Sequence, residues 1–151
     1  MKVEYGTTLE TATDSYTVLE PAGQGGFGTV YRVSREGDGK IFAVKFMQEP
    51  DVSGYRPKLA YECQSKVRRI FEEECWFLEK LGYLESKRRP LPFPRFYGKG
   101  ELHDTPFYVM EWLEPVDLAA HNNYVKRIGY LSQVCHAVDI LHREGYVLYD
   151  I

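Results

Sequence analysis

The sequence predicts an α+β fold, in which an antiparallel sheet carries one long helix and a second helical segment follows. Three observations predict it. Strand-like runs rich in β-branched and aromatic residues fall in 16–34, 41–46 and 96–113, with turn-forming residues between them. A helical period runs through Val67, Ile70, Phe71, Cys75, Leu78 and Leu81. The same period returns in Val125, Ile128, Leu131, Val134, Cys135, Val138 and Leu141.

Residues 1–14 are polar and threonine-rich and read as a lead-in with room for one added strand. Tyr16–Glu20 and Thr29–Val33 are strands flanking a turn that holds Gly23, Gly25, Gly26 and Gly28. A dinucleotide-binding G-x-G-x-x-G is excluded, because those glycines open a helix whose N-terminus receives the pyrophosphate. Here they open a strand. Glycines in a hairpin let the backbone approach phosphate oxygens and offer N–H groups to them. A glycine-rich hairpin with no ligand is the competing reading.

Glu36–Lys40 is a turn, and Ile41–Phe46 is a nearly continuous apolar strand carrying Lys45 near its end. A lysine closing so apolar a run is costly to bury unpaired. The alternative is a side chain that runs out to water. Residues 48–58 hold two prolines and form a loop, and the first helix spans about 59–84. Within it, Glu74 lies four residues before Leu78 and seven before Leu81 and shares their buried face, whereas Glu72 and Glu73 point elsewhere. Glu74 is therefore the expected partner of Lys45. A register shifted by one residue would bring Glu73 there instead.

Ser86–Pro94 is a basic, proline-rich loop. Phe96–Gly98 begins a strand, residues 103–106 turn, and Phe107–Leu113 form the next strand. Glu114–Leu118 breaks the pattern as a hinge would. A second helix spans about 123–144 and Gly145 is placed to stop it.

Composition bounds the function. The 151 residues suffice for a domain with a real core, and a net charge of −3 gives no reason to expect nucleic acid or an anionic membrane as partner. The one short basic run, Lys87-Arg88-Arg89, reads as a solvated loop. No apolar stretch approaches the ~18 residues that cross a bilayer. The N-terminus lacks the apolar core of a secretory signal. Cys63, Cys75 and Cys135 lack metal-ligand spacing and read as reduced thiols of a cytoplasmic protein.

Taken in order, glycine-rich hairpin, lysine strand, helix, two strands, hinge and helix resemble the amino-terminal half of a eukaryotic-type protein kinase, over about residues 15–151. The resemblance implies a twisted, antiparallel five-stranded sheet with a long helix in 15–113, after the lead-in of 1–14. The hinge and first helices of an incomplete helical lobe follow in 114–151. Gly23-x-Gly25-x-x-Gly28-x-Val30 matches the family's glycine-rich loop, with Gln24, Gly26 and Phe27 completing its tip. In the family this loop covers ATP. Val30 and Ala43 would then touch the adenine, and Lys45, paired with Glu74, would hold the α- and β-phosphates. Met110 would guard the back of the pocket, and the backbone of Glu111 and Leu113 would meet the purine edge. Asp117 falls where the ribose hydroxyls are bound, and a helix cap is its equal alternative. Asp150 matches the catalytic aspartate that accepts the proton of the substrate hydroxyl. His142 matches a packing position.

Two departures stand out. Leu148 and Tyr149 replace the family's usual His and Arg before the aspartate. The family's metal-binding Asn and Asp-Phe-Gly have no counterpart within these residues. Mg2+ is thus implied for the complete kinase, with no metal ligand expected in this chain. The resemblance implies transfer of the ATP γ-phosphate to Ser/Thr hydroxyls of a protein substrate by a longer kinase, of which this chain is expected to be an inactive piece. A non-catalytic pseudokinase or regulatory module is the first alternative, and a small-molecule kinase of related fold the second. The apolar face of helix 123–144 invites self-association or completion by another chain.

Overall fold

A computed structural model describes residues 2–26, 28–85, 93–114 and 124–146. The chain divides into two compact units, Met1–Gly82 with Pro94–Leu113, and Tyr83–Phe93 with Glu114–Ile151. In chain order the strands are β1 (Thr8–Glu10), β2 (Ser15–Gly25), β3 (Gly28–Arg35) and β4 (Ile41–Met47). Helix α1 (Pro57–Glu85), β5 (Phe96–Leu102), β6 (Thr105–Glu111) and α2 (Tyr124–Arg143) follow.

The strands form one antiparallel sheet in the order β1-β2-β3-β4-β6-β5. It has six strands where five are expected, because the lead-in folds back on β2. The reversal is a tight turn closed by a side chain. Thr11 donates its N–H and its hydroxyl to the Asp14 carbonyl, both at 2.9 Å, and Thr11 Oγ1 accepts the Asp14 N–H at 3.1 Å. Leu9 is thereby buried in the core.

The sheet curls until its edge strands β1 and β5 approach. Two glycines of β5 permit this. A Cβ on Gly100 would overlap the Glu10 carbonyl and the Phe107 ring, and one on Gly98 would sit 3.1 Å from Thr11. The enclosed face carries Leu9, Tyr16, Val18, Tyr31, Val33, Phe42, Val44, Phe46, Phe107 and Val109. Phe42 is its hub, edge-on to Tyr16 at 5.5 Å and to Tyr97 at 4.7 Å between centroids. Such pairs add about 0.5–1.5 kcal/mol each beyond their buried area. The Tyr16 hydroxyl lies buried without a partner, and burial, then the nearby Asp14 charge, push its pKa up to about 12.

The β3–β4 turn is fastened electrostatically. Arg35 donates to both Asp38 carboxylate oxygens, at 3.1 and 2.6 Å, while its guanidinium lies 5.1 Å from the Phe42 ring centroid. The Arg35 hydrogen bond, followed by the backbone N–H of Lys40, holds the Asp38 carboxyl well below the usual carboxylate range. Its folded pKa thus lies below the unfolded value of about 3.9. As pH falls, the unfolded chain takes up the proton first, so the stability that Asp38 contributes is complete above about pH 4 and declines below it. Asp38→Asn is expected to lower the melting temperature at pH 7, with the gap to wild type closing as the pH drops below 4; thermal melts across that range check this.

The β5–β6 hairpin turns through His103 and Asp104, at φ 49° and 62°. Both are left-handed, as a two-residue type I′ turn requires. Strand β6 ends at Glu111, two residues short of the expected 113.

Helix α1 begins at Pro57, whose missing N–H is no loss in a first helical turn. Its buried ridge is Val67, Phe71, Cys75, Leu78 and Leu81. In the second unit, α2 ends in a Schellman motif. The Tyr146 N–H bonds the Leu141 carbonyl at 2.9 Å, and the N–H of Gly145 (φ 84°) bonds that of His142 at 3.1 Å. Among the large apolar residues of α2, Val125, Ile128, Leu131 and Val134 are exposed.

Candidate functional site

Side chains alternate across a strand, so the residues of β4 between Phe42, Val44 and Phe46 face the opposite way from the core. These are Ala43 and Lys45, and Met47 follows Phe46 on the same side as these two. The register sets two rows of neighbours on this second face. Val30 pairs with Lys45, which pairs with Tyr108. Arg32 pairs with Ala43, which pairs with Met110. The first row is polar in its middle, and the second carries the apolar Ala43 and Met110.

Lys45 and Glu74 meet over this face. Lys45 Nζ donates to Glu74 Oε1 at 2.8 Å and to Oε2 at 2.6 Å. The lysine side chain is 18% exposed, so the cation is largely withdrawn from water and would be costly to keep there unpaired. Glu74 reaches it because Phe71 and Leu78, three residues before and four after, dock that face of α1. Glu72 and Glu73 turn away, with Glu72 3.9 Å from Arg68 and Glu73 3.7 Å from Arg69, each one helical turn back. An ammonium has three donors and two are engaged here, which leaves one to face an anion.

The glycines divide into two kinds. A Cβ on Gly28 would come 2.7 Å from the Phe46 carbonyl oxygen and 2.8 Å from Lys45 Cε. Gly28 is thus required by the packing of β3 against the lysine strand, with or without a ligand. Around Gly23, Gly25 and Gly26 there is open space. Residues 23–25 are not a loop but the end of β2, paired with β3 up to Gly25 and Gly28. Extra residues at Leu19 and Ala22 shift the register and give this hairpin bulges, which increase its twist. Gln24 reaches β4's end and donates to Gln48 Oε1 at 3.1 Å.

At the other end of the apolar row stands a polar group that sequence reasoning missed. Arg32 donates to Glu20 Oε1 at 2.9 Å and lies 5.6 Å from the Trp112 ring centroid. This contact ties β3 to the residue between Glu111 and Leu113. The Glu111 N–H is donated to the Arg95 carbonyl at 2.8 Å, so a ligand contact from Glu111 falls to its carbonyl. Leu113 is exposed. Tyr108, read from the sequence only as part of the strand 107–113, lies fully buried beside the ion pair. Burial first, then the Glu74 charge, push its ionisation far above the ordinary phenol value. The signal for both residues was their register against Lys45 and Ala43, which becomes readable once the strand pairing is known.

Phe27, Asp117 and Asp150, with Leu148 and Tyr149, lie outside the described residues. Among the described residues no group of three or more His, Cys, Asp or Glu side chains is placed to hold a metal ion, and no helix is long and apolar enough to cross a membrane.

Comparison with known proteins matches this geometry to a class. No family model matches the chain. It is 25% identical over 150 residues to the probable serine/threonine protein kinase IREH1 of Arabidopsis thaliana, covering 93% of this chain and 10% of that protein. It is 22% identical over 144 residues to the serine/threonine-protein kinase greatwall of Xenopus tropicalis, covering 91% and 14%. Among solved structures it superposes on a crystallised kinase domain with a TM-score of 0.65 at 18% identity, covering 95% of this chain and 39% of that one. Vaccinia related kinase 3 gives 0.62 at 14%, covering 95% and 43%. The chain therefore has the fold of a protein kinase amino-terminal lobe followed by part of the helical lobe, and it is protein kinase-like in sequence. It spans about a tenth of the length of the first of these relatives.

Proposed function

We propose that this chain is the ATP-binding portion of a serine/threonine protein kinase. The observation that carries the reading is the Lys45–Glu74 pair, set under Gly28 and beside an apolar patch on the same sheet face. The adenine lies against Val30, Ala43 and Met110, with its edge at the backbone of Glu111 and Leu113. The free donor of Lys45 meets the α- and β-phosphates, and backbone N–H groups of Gly23–Gly28 close over them. Asp117 takes the ribose hydroxyls. In the whole protein Asp150 accepts the proton of a Ser/Thr hydroxyl on a protein substrate as it attacks the γ-phosphate. In a complete kinase Mg2+ would neutralise the phosphate charge there, and no ligand for it is assigned among these residues.

The 151-residue polypeptide by itself is expected to bind nucleotide weakly and not to turn it over. The exposed apolar residues of α2 offer a face to a completing segment or a second copy of the chain. Use of ATP and three free thiols fit a cytoplasmic place of action.

A second reading, a non-catalytic kinase-like module, is favoured by Leu148 and Tyr149 in place of His and Arg. Amide hydrogen exchange with a non-hydrolysable ATP analogue tests the first claim common to both. Slower exchange is expected at 23–30 and 111–113; unchanged exchange at saturating analogue would contradict the nucleotide site. Phosphoryl transfer by the full-length protein then separates the two readings, since only a kinase supports it.

A further inference from the structure

Arg32 places a charge at the edge of an apolar patch. It stands two residues beyond Val30 on β3, so the two share the sheet face of Ala43 and Met110. A hydrocarbon side chain would extend that patch at less cost, because Arg32 Nε is buried without a partner. The tip of the side chain is engaged on two sides. Glu20, directly opposite on β2, accepts from Nη1 at 2.9 Å, and the guanidinium carbon lies 5.6 Å from the Trp112 ring centroid.

These two partners belong to different parts of the site. Glu20 stands beside Pro21 at the base of the glycine-rich hairpin, where the register shifts. Trp112 lies one residue past the last rung between β4 and β6, which is Phe42 with Glu111. Arg32 thus reaches diagonally over the sheet face and joins the base of the hairpin to the segment after β6. The guanidinium is a planar cation that both hydrogen-bonds a carboxylate and stacks on an aromatic face, so one side chain can serve both partners at once.

We propose that Arg32 is a positioning residue for the base end of the nucleotide site: held by Glu20, it stacks on Trp112 and sets where the backbone of 111–113 meets the purine edge. That the ligand is a purine nucleotide rests on the function proposed above; the link from Glu20 through Arg32 to Trp112 does not. Lys45 and Arg32 then divide the ligand, the first serving the phosphates and the second the base.

The test uses the whole chain carrying Trp76→Phe, which leaves Trp112 as its sole tryptophan. Acrylamide quenching of Trp112 is measured without ligand in this parent and with Arg32→Leu, Arg32→Lys or Glu20→Gln added. The stacked population is expected to fall about two- to fivefold in Arg32→Leu and by less in Arg32→Lys, which keeps a cation over the ring. Glu20→Gln should move quenching in the same direction as Arg32→Leu. Unchanged quenching in Arg32→Leu or Glu20→Gln, or no rescue by lysine, would overturn the link. Calorimetry with adenosine and with ATP then tests its role. Both affinities should fall by the same factor in Arg32→Leu, about two- to fivefold. A parent that binds both ligands, with affinities unchanged in Arg32→Leu or lowered for ATP alone, would overturn the role of Arg32 and leave the nucleotide reading in place. A parent that binds neither would overturn that reading and the role together, while quenching still decides the link.

Discussion

Phe42→Ala is expected to lower the unfolding free energy of the first unit by about 3–5 kcal/mol, the range for removing a well-packed aromatic side chain. Phe42 is 5% exposed and sits where β4 crosses the centre of the curled sheet. Its ring meets Tyr16 and Tyr97 edge-on, and Arg35 covers it from the β3–β4 turn. Truncation removes one partner from three contacts and leaves a cavity that the hydrogen-bonded strands on either side cannot collapse into. Urea unfolding followed by circular dichroism measures the loss. A change below about 1 kcal/mol would show that this end of the sheet is not the packed core.

Gly28→Ala is expected to act on stability and on the site together. The added methyl would stand 2.7 Å from the Phe46 carbonyl oxygen, which belongs to the sheet and has little freedom to move. It would also stand 2.8 Å from Lys45 Cε, the carbon that carries the ammonium. Relief requires β3 to lift from β4 or the lysine to swing off Glu74. Overpacking of this kind costs about 1–3 kcal/mol. Gly23→Ala and Gly25→Ala make the control, since nothing lies within 4 Å of a Cβ at either position. Melting temperatures should therefore drop for position 28 and hold for 23 and 25. Equal drops at all three would mean that hairpin flexibility, and not contact with Lys45, sets the requirement.

Much of this was legible in the sequence, and the reasons are local. Glu74 could be chosen over its two neighbours because a helix repeats every 3.6 residues and Leu78 and Leu81 fixed the buried face. The stop at Gly145 followed from the one residue that adopts a left-handed turn without strain. The sixth strand was not fixed by any pattern: Thr8–Glu10 is too short to display a period, and it exists because Thr11 closes a turn and Leu9 finds the core. The roles of Gly98 and Gly100 depend on the curl of the whole sheet, which no stretch of β5 encodes alone. Tyr108 and Arg32 were hidden for a related reason. Each acts through a neighbour on another strand, and one residue of register decides whether it faces the site or the core.

The central claim is that Lys45, fixed by Glu74, reads phosphate beneath the glycine-rich hairpin. Affinities of the wild-type chain and Lys45→Met for ATP and for adenosine, measured by calorimetry, test it most directly. A charge-assisted contact of this kind is worth about 1.5–3 kcal/mol, so ATP affinity should fall about 10–100-fold, while adenosine affinity stays within about twofold. Equal losses for ATP and adenosine, or no loss for either, would contradict the assignment of Lys45 to the phosphates.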